Sequence, residues 1–292
     1  MNEGAPNRNL TQEQLAHYDR EGYLFLPDYF PPEEIDLMVG ELPEIFSAQG
    51  EHVVMEKDGV SVRSVYGSHV TNPVYQSLVR HPRLVDPVRQ ILGGDVYVYQ
   101  FKVNAKLGLL GDVWEWHQDY IFWLKEDGLP KPSVVNSVIY LDDVDEFSGP
   151  ILLLPGTHDE GMIDVSPVEK FSPVYQDRQP WISNLTADLK YSIDNLVIRR
   201  LMAKYGIVST KGKRGSVLLF HPNLVHASAP NMSPNNRVVI IISYSHVNNQ
   251  PGNAELSRPD FLVSRDYKAV QPLPDEPIFL ASKMTRRVEH SV

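Results

Sequence analysis

Apolar positions recur at helical spacing in the first third of the chain and give way after about residue 95 to short runs of β-branched and aromatic residues. Thr11 followed by Gln14 forms a capping box, Leu15 and Tyr18 continue on one face, and Gly22 ends a first helix. The apolar stretch 23–26 predicts a buried strand. Behind Pro31 and Pro32, the residues Ile35, Met38, Val39, Leu42, Ile45 and Phe46 repeat at three and four, which predicts a single amphipathic helix with an acidic outer face. Two β-rich runs then flank Asp58 and Gly59, a pair suited to a tight hairpin turn. Prolines at 73, 82 and 87 bracket short helical pieces.

Strands are predicted at 96–106, 114–121, 134–141, 151–154, 216–220 and 237–245, separated by Gly, Asp-Gly and Pro turns. No internal repeat is evident, nor the regular alternation of strand and helix that builds a parallel sheet. The pattern predicts a mainly β chain, a sandwich or barrel wrapped by N-terminal helices. Residues 1–9 are expected to be a loose polar tail and 10–292 a single domain. Within it the strand signals lapse over 159–215, apart from a helical patch near 185–205, and an insertion of that length predicts a lid over the substrate.

Composition narrows the chemistry. The 292 residues contain no cysteine, so disulfides, thiolate nucleophiles and cysteine metal sites are excluded, and any metal must be held by nitrogen and oxygen. A net charge of -10, without a Lys/Arg run, argues against nucleic acid as a partner. No stretch is apolar enough to cross a membrane, and the first residues lack signal-peptide character, so a soluble, cytoplasmic protein is expected.

His117 and Asp119 lie two apart in a predicted strand, where side chains share a face about 7 Å apart at Cα. With His226 they match the two-histidine, one-carboxylate triad of non-haem Fe(II) oxygenases, which leaves three of six coordination positions for a bidentate 2-oxoacid and dioxygen. Chance H-x-D triplets are common. The competing hydrolases, however, lack both a G-x-S-x-G elbow and an H-E-x-x-H helix here. Arg237 follows His226 by 11 residues, at the start of a strand, and a guanidinium there suits a bidentate grip on a distal carboxylate.

Three segments carry a family likeness: W-x-W-H-Q-D-Y-x-x-W with K-E-D-G-L-P behind it, F-S-G-P-I-L-L-L-P-G-T-H, and G-S-V-L-L-F-H-P-x-x-V-H-A-S-A-P-N-M-S-P-x-x-R. Together they resemble the phytanoyl-CoA dioxygenase family over roughly residues 10–267, most of all its branch of ectoine and free amino-acid hydroxylases. The resemblance implies a double-stranded β-helix, or jelly-roll and cupin-like, core. It also implies Fe(II), with 2-oxoglutarate and dioxygen as co-substrates. By position it makes His117, Asp119 and His226 the iron ligands, and Arg237 with Ser228 the anchor for the far carboxylate of 2-oxoglutarate. Gln100 and Asn104 fall where the family contacts the co-substrate. Lys102 stands where ectoine hydroxylases carry an arginine for the substrate carboxylate, and alternation along the strand points it the same way as its two neighbours.

Trp123, Arg63 and Tyr66 are further candidates for substrate contact, whereas His158 and His221 are expected to be structural. The expected activity is hydroxylation of an unactivated carbon of a small polar substrate, a free L-amino acid or derivative. The alternatives are a substrate linked to a carrier or to CoA, a natural-product intermediate, and a non-enzymatic cupin-like binding module. A halogenase of the same fold would need a small residue in place of Asp119.

Overall fold

The computed structural model describes residues 9–163, 165, 181, 185, 189–252 and 258–274. The first helix, α1 (Gln12–Glu21), has the expected capping box, with Thr11 and Gln14 bonded reciprocally, and it ends at Gly22 in a left-handed conformation. Strand β1 (Tyr23–Leu26) follows. The amphipathic stretch after it forms two helices rather than one, α2 (Pro32–Gly40) and α3 (Leu42–Ser47). Pro43 is the reason, because it has no N–H to continue the α2 hydrogen-bond ladder. The hairpin of β2 (Val53–Met55) and β3 (Val62–Tyr66) turns on Asp58, whose carboxylate accepts from the N–H groups of Val60 and Ser61. Two short helices, α4 (Pro73–Leu78) and α5 (Pro82–Leu92), complete the N-terminal layer.

The rest is an antiparallel jelly roll of two sheets. Seven strands form the larger one in the order β1-β9-β6-β11-β4-β3-β2, with β4 (Val96–Lys106), β6 (Val134–Tyr140), β9 (Val217–Phe220) and β11 (Arg237–His246) at its centre. The smaller has the order β5-β10-β7-β8, with β5 (Trp114–His117), β7 (Ile151–Leu153), β8 (Val208–Thr210) and β10 (His226–Ser228). The helices cover one face of the large sheet, burying Ile35, Met38, Tyr75, Leu78 and Val85 against Phe101, Val103, Ile139, Ile240 and Ile242. Its other face looks toward the small sheet and carries polar groups at one end.

A bulge in β4 decides which residues those are. Ser243 of β11 pairs with Gln100 but Tyr244 pairs with Val98, so Tyr99 is an extra residue. Tyr97 and Tyr99 therefore share the inner face with Gln100, Lys102 and Asn104, while Val98, Phe101 and Val103 pack toward the helices.

Two further expectations change. Strand 114–121 stops at His117, and Asp119 opens a helix, α6 (Asp119–Asp127), capped by Gly128. Asp119 sits at the helix N-terminus, where a carboxylate is favoured, and the four apolar residues behind it are buried in the helix. Of the span expected to be a lid, the end belongs to the small sheet, since β8 pairs with β7, and α7 (Asn195–Tyr205) precedes it. Within that span 164, 166–180, 182–184 and 186–188 lie outside the described residues, as do 1–8 of the expected tail. No helix among the described residues is long and apolar enough to cross a membrane.

Candidate active site

A cavity opens between the sheets. His117, at the end of β5, and His226, at the start of β10, are direct cross-strand partners, and their rings lie 4.2 Å apart. Asp119 reaches the same point from the first turn of α6, and one donor atom from each of the three falls within 4.8 Å of the others. Gln118 between them faces away, donating to the carbonyls of Gly161 and Asn223 and accepting from the N–H of Ile163.

The hydrogen bonding leaves the right atoms free. Nδ1 of His117 lies 2.6 Å from the Glu115 carbonyl and Nδ1 of His226 lies 2.9 Å from that of Leu224, which makes each Nδ1 the donor and each Nε2 a lone pair. Those Nε2 atoms face Asp119 at 3.6 and 3.7 Å, too far for hydrogen bonds but suited to donors that surround one ion. Burial, aided by the neighbouring His117, pushes His226 down to about 4, so it is neutral at physiological pH, as a metal ligand must be. Burial pushes the Asp119 carboxyl up, but His226 and His117 outweigh it and hold the group well below the usual carboxylate range. Two imidazole nitrogens and one carboxylate fit Fe(II), and their placement on one side leaves the other open to the cavity.

Arg237, Ser228, Gln100 and Asn104 all line this cavity, as do Lys102, Tyr66 and Trp123. Arg237 is buried. Its Nη2 donates to the Gly149 carbonyl at 2.8 Å, and no carboxylate pairs with it among the described residues. Gln100 Nε2 donates to the Leu262 carbonyl, and its oxygen has no hydrogen bond among the described residues. Asn104 Nδ2 donates to Ser64 Oγ at 3.3 Å while its Oδ1 is buried without a partner among the described residues. Exchanging the two amide atoms satisfies Ser64 equally and turns an N–H donor into the cavity.

Arg63 is not among the residues that line the cavity. Its guanidinium pairs with Glu56 at 2.9 Å, donates to the Val113 carbonyl and stacks 3.9 Å over the Trp114 ring, so it braces that wall from behind rather than lining the cavity.

The sequence matches the phytanoyl-CoA dioxygenase (PhyH) family over residues 18–239. The chain belongs to that family. It is similar to the L-proline trans-4-hydroxylase of Streptomyces griseoviridis, at 37% identity across 88% of this chain and 94% of the relative. To the ectoine dioxygenase of Bordetella parapertussis it is 32% identical, across 90% and 86% of the two chains. The crystal structure of EctD from S. alaskensis with 2-oxoglutarate and 5-hydroxyectoine superposes with a TM-score of 0.77 at 27% identity, covering 92% of this chain and 89% of that one. This member of the phytanoyl-CoA dioxygenase family is an iron- and 2-oxoglutarate-dependent dioxygenase acting on a small molecule.

Sequence reasoning missed three contributors. Asn136 of β6 donates to Asp119 Oδ2 at 2.8 Å and is itself held by the Ser243 hydroxyl, which fixes the carboxylate's orientation. The only signal for it is a polar pair interrupting a Val/Ile strand. Arg258 lines the cavity and grips Asp127 with Nε at 2.8 Å and Nη2 at 2.6 Å, and the Tyr99 hydroxyl donates to the same carboxylate. Nothing local marks it, because its partners lie more than a hundred residues away in the chain. The third, Lys106, lies behind Ser228.

Proposed function

We propose that this dioxygenase hydroxylates an unactivated carbon of a free L-amino acid, or of a derivative that keeps its carboxylate, in the cytoplasm. The observation that carries the reading is a set of polar groups on the cavity wall with donors left over. Lys102 Nζ has no carboxylate in salt-bridge reach among the described residues and lies 5.8 Å from the centre of the Trp114 ring. Burial pushes that ammonium below its ordinary value, with Asp119 opposing the shift and Arg258 and Arg63 adding to it. The Tyr66 hydroxyl, on the β3 residue paired with Lys102, is buried with only the Ser64 side chain near it and no hydrogen bond of good geometry among the described residues. Arg258 spends only two of its nitrogens on Asp127. A substrate carboxylate would answer all three groups, and a relative that is an L-proline hydroxylase supports a free amino acid as its bearer.

In this reading His117, Asp119 and His226 hold Fe(II), which when bound supplies the activation of dioxygen coupled to conversion of 2-oxoglutarate to succinate and carbon dioxide. The protein's residues do the positioning. Arg237 and Ser228 hold the far carboxylate of 2-oxoglutarate, and Gln100 and Asn104 its flank. Lys102, Tyr66 and Arg258 hold the substrate's acid end, so that a carbon further along faces the metal. Trp123, packed edge-to-face on Tyr99 at 5.1 Å, and Leu185 and Leu189 from the expected lid supply an apolar wall that excludes water.

The test is a panel of free L-amino acids incubated with iron-loaded protein, 2-oxoglutarate and air, with succinate and product mass both followed. At least one should raise succinate release above the substrate-free rate and gain one oxygen atom. A panel that leaves succinate at the substrate-free rate throughout would remove the amino-acid reading while leaving the dioxygenase chemistry intact.

A further inference from the structure

Lys106 is 0% exposed, yet it is a lysine with no carboxylate partner among the described residues. It is the last residue of β4 and the cross-strand partner of Arg237, so the large sheet ends in two neighbouring buried cations. Burial is the main cause and Arg237 the next in pushing its ammonium down to about 6. Its slot is shaped by two glycines. A Cβ on Gly111 would run into Lys106 Cγ, and one on Gly149 would stand 2.8 Å from Cδ. The Gly149 backbone, at φ +74°, also favours glycine, and its carbonyl is the one that Arg237 holds.

The ammonium does not reach the cavity directly. It donates to the carbonyls of Ser228 and Ala229 and, at 2.8 Å, to Ser228 Oγ. That last bond has a directional consequence. A hydroxyl has one hydrogen, and lone pairs that accept. Three acceptors surround Nζ, one for each N–H of an ammonium, the form that a carboxylate bound beside Arg237 favours, so Ser228 Oγ accepts on that side and its hydrogen is free to turn toward the cavity that Ser228 lines with Arg237.

We propose that Lys106 is a positioning residue for the co-substrate, acting through Ser228. By making that hydroxyl a committed donor, it adds a second directed hydrogen bond beside Arg237 for an incoming carboxylate. The inference rests on the assignment of this end of the cavity to 2-oxoglutarate.

Titration calorimetry on the iron-loaded protein without dioxygen tests it, using 2-oxoglutarate and 2-oxopentanoate, which has the same chain but no far carboxylate. Lys106→Met should weaken 2-oxoglutarate by about tenfold or more, in line with the loss of one charge-assisted hydrogen bond, and leave 2-oxopentanoate unchanged. Ser228→Ala should do the same, and the double variant should be no weaker than Ser228→Ala alone, since both lesions remove one interaction. Lys106→Gln keeps an N–H donor on a shorter arm and should recover part of the affinity; it also serves if the methionine variant does not fold. Equal weakening of both oxoacids, additive losses in the double variant, or unaltered 2-oxoglutarate affinity in the Lys106 variants would each overturn the proposal. A wild-type protein that binds both oxoacids equally well would instead show that no far carboxylate is read here, which removes the 2-oxoglutarate placement and this role with it.

Discussion

Lys102→Met separates binding from folding. Methionine keeps the length and apolar stem of lysine and removes only the ammonium. That ammonium has no carboxylate in salt-bridge reach among the described residues, Asp119 acts on it only at longer range, and its burial disfavours the charge. The fold therefore gains little from the charge. Lys102 is half-buried, and replacing a poorly compensated, largely desolvated ion by an apolar isostere is neutral or stabilising by up to about 1 kcal/mol. In a chain of this length that corresponds to a rise in melting temperature of up to about 2 °C. Substrate binding should move the other way. Losing a charged partner of a desolvated carboxylate costs about 2–5 kcal/mol, or roughly thirtyfold to several thousandfold in affinity. The assay is calorimetric titration of the amino acid identified by the panel onto iron-loaded, 2-oxoglutarate-bound protein without dioxygen, with a thermal melt of each protein alongside. Substrate-free turnover of 2-oxoglutarate should persist in the variant. Wild-type substrate affinity, or a loss of 2-oxoglutarate affinity instead, would refute the reasoning.

Arg237→Lys keeps the charge but loses the planar fork, so the KM for 2-oxoglutarate should rise at least tenfold with substrate affinity little changed; an unaltered KM would remove the anchor role. Asn136→Ala takes away the donor on Asp119 Oδ2, and Fe(II) or Mn(II) affinity should fall about 10–100-fold while the far-ultraviolet circular dichroism stays the same. Burial pushes His69 and His221 down to about 4, with His158 adding to the effect on His221. Because the unfolded imidazoles take up protons near pH 6.5 and the folded ones do not until about 4, their stabilising contribution is complete above pH 6.5 and is lost as pH falls toward 4. His69→Phe should therefore lose less stability between pH 7 and 5 than wild type in denaturant titrations, and an identical slope would contradict the assignment.

Much of the architecture was legible in local signals. The Thr11 capping box, the Asp58 turn and the whole of β4 are set by neighbours in sequence, and the periodicity of those stretches reports them directly. The converging positions of His117, Asp119 and His226 were legible too, although the reason differs in one respect. Asp119 meets His117 across a strand-to-helix junction and not along one strand. The run Tyr-Ile-Phe-Trp behind it is buried in helix as it would be in strand, and burial on all sides erases the period that tells them apart. Strand β10 is too short to leave a pattern, and the bulge at Tyr99 needs the β11 register to be seen. Arg63 drew attention by lying in a hairpin near the motif, but Glu56, seven residues away, satisfies it from the same hairpin. Arg258, Asn136 and Lys106 belong to tertiary contacts, which one sequence does not display.

In the proposed function this cavity couples 2-oxoglutarate turnover to hydroxylation of an amino acid held by its carboxylate. Isotopically labelled dioxygen tests it most directly, with mass spectrometry of both products from the iron-loaded enzyme and the amino acid selected by the panel. One labelled oxygen should enter succinate for each labelled oxygen entering the amino acid, with the amino acid's carboxylate oxygens unlabelled. Labelled succinate beside an amino acid that gains no label would contradict it.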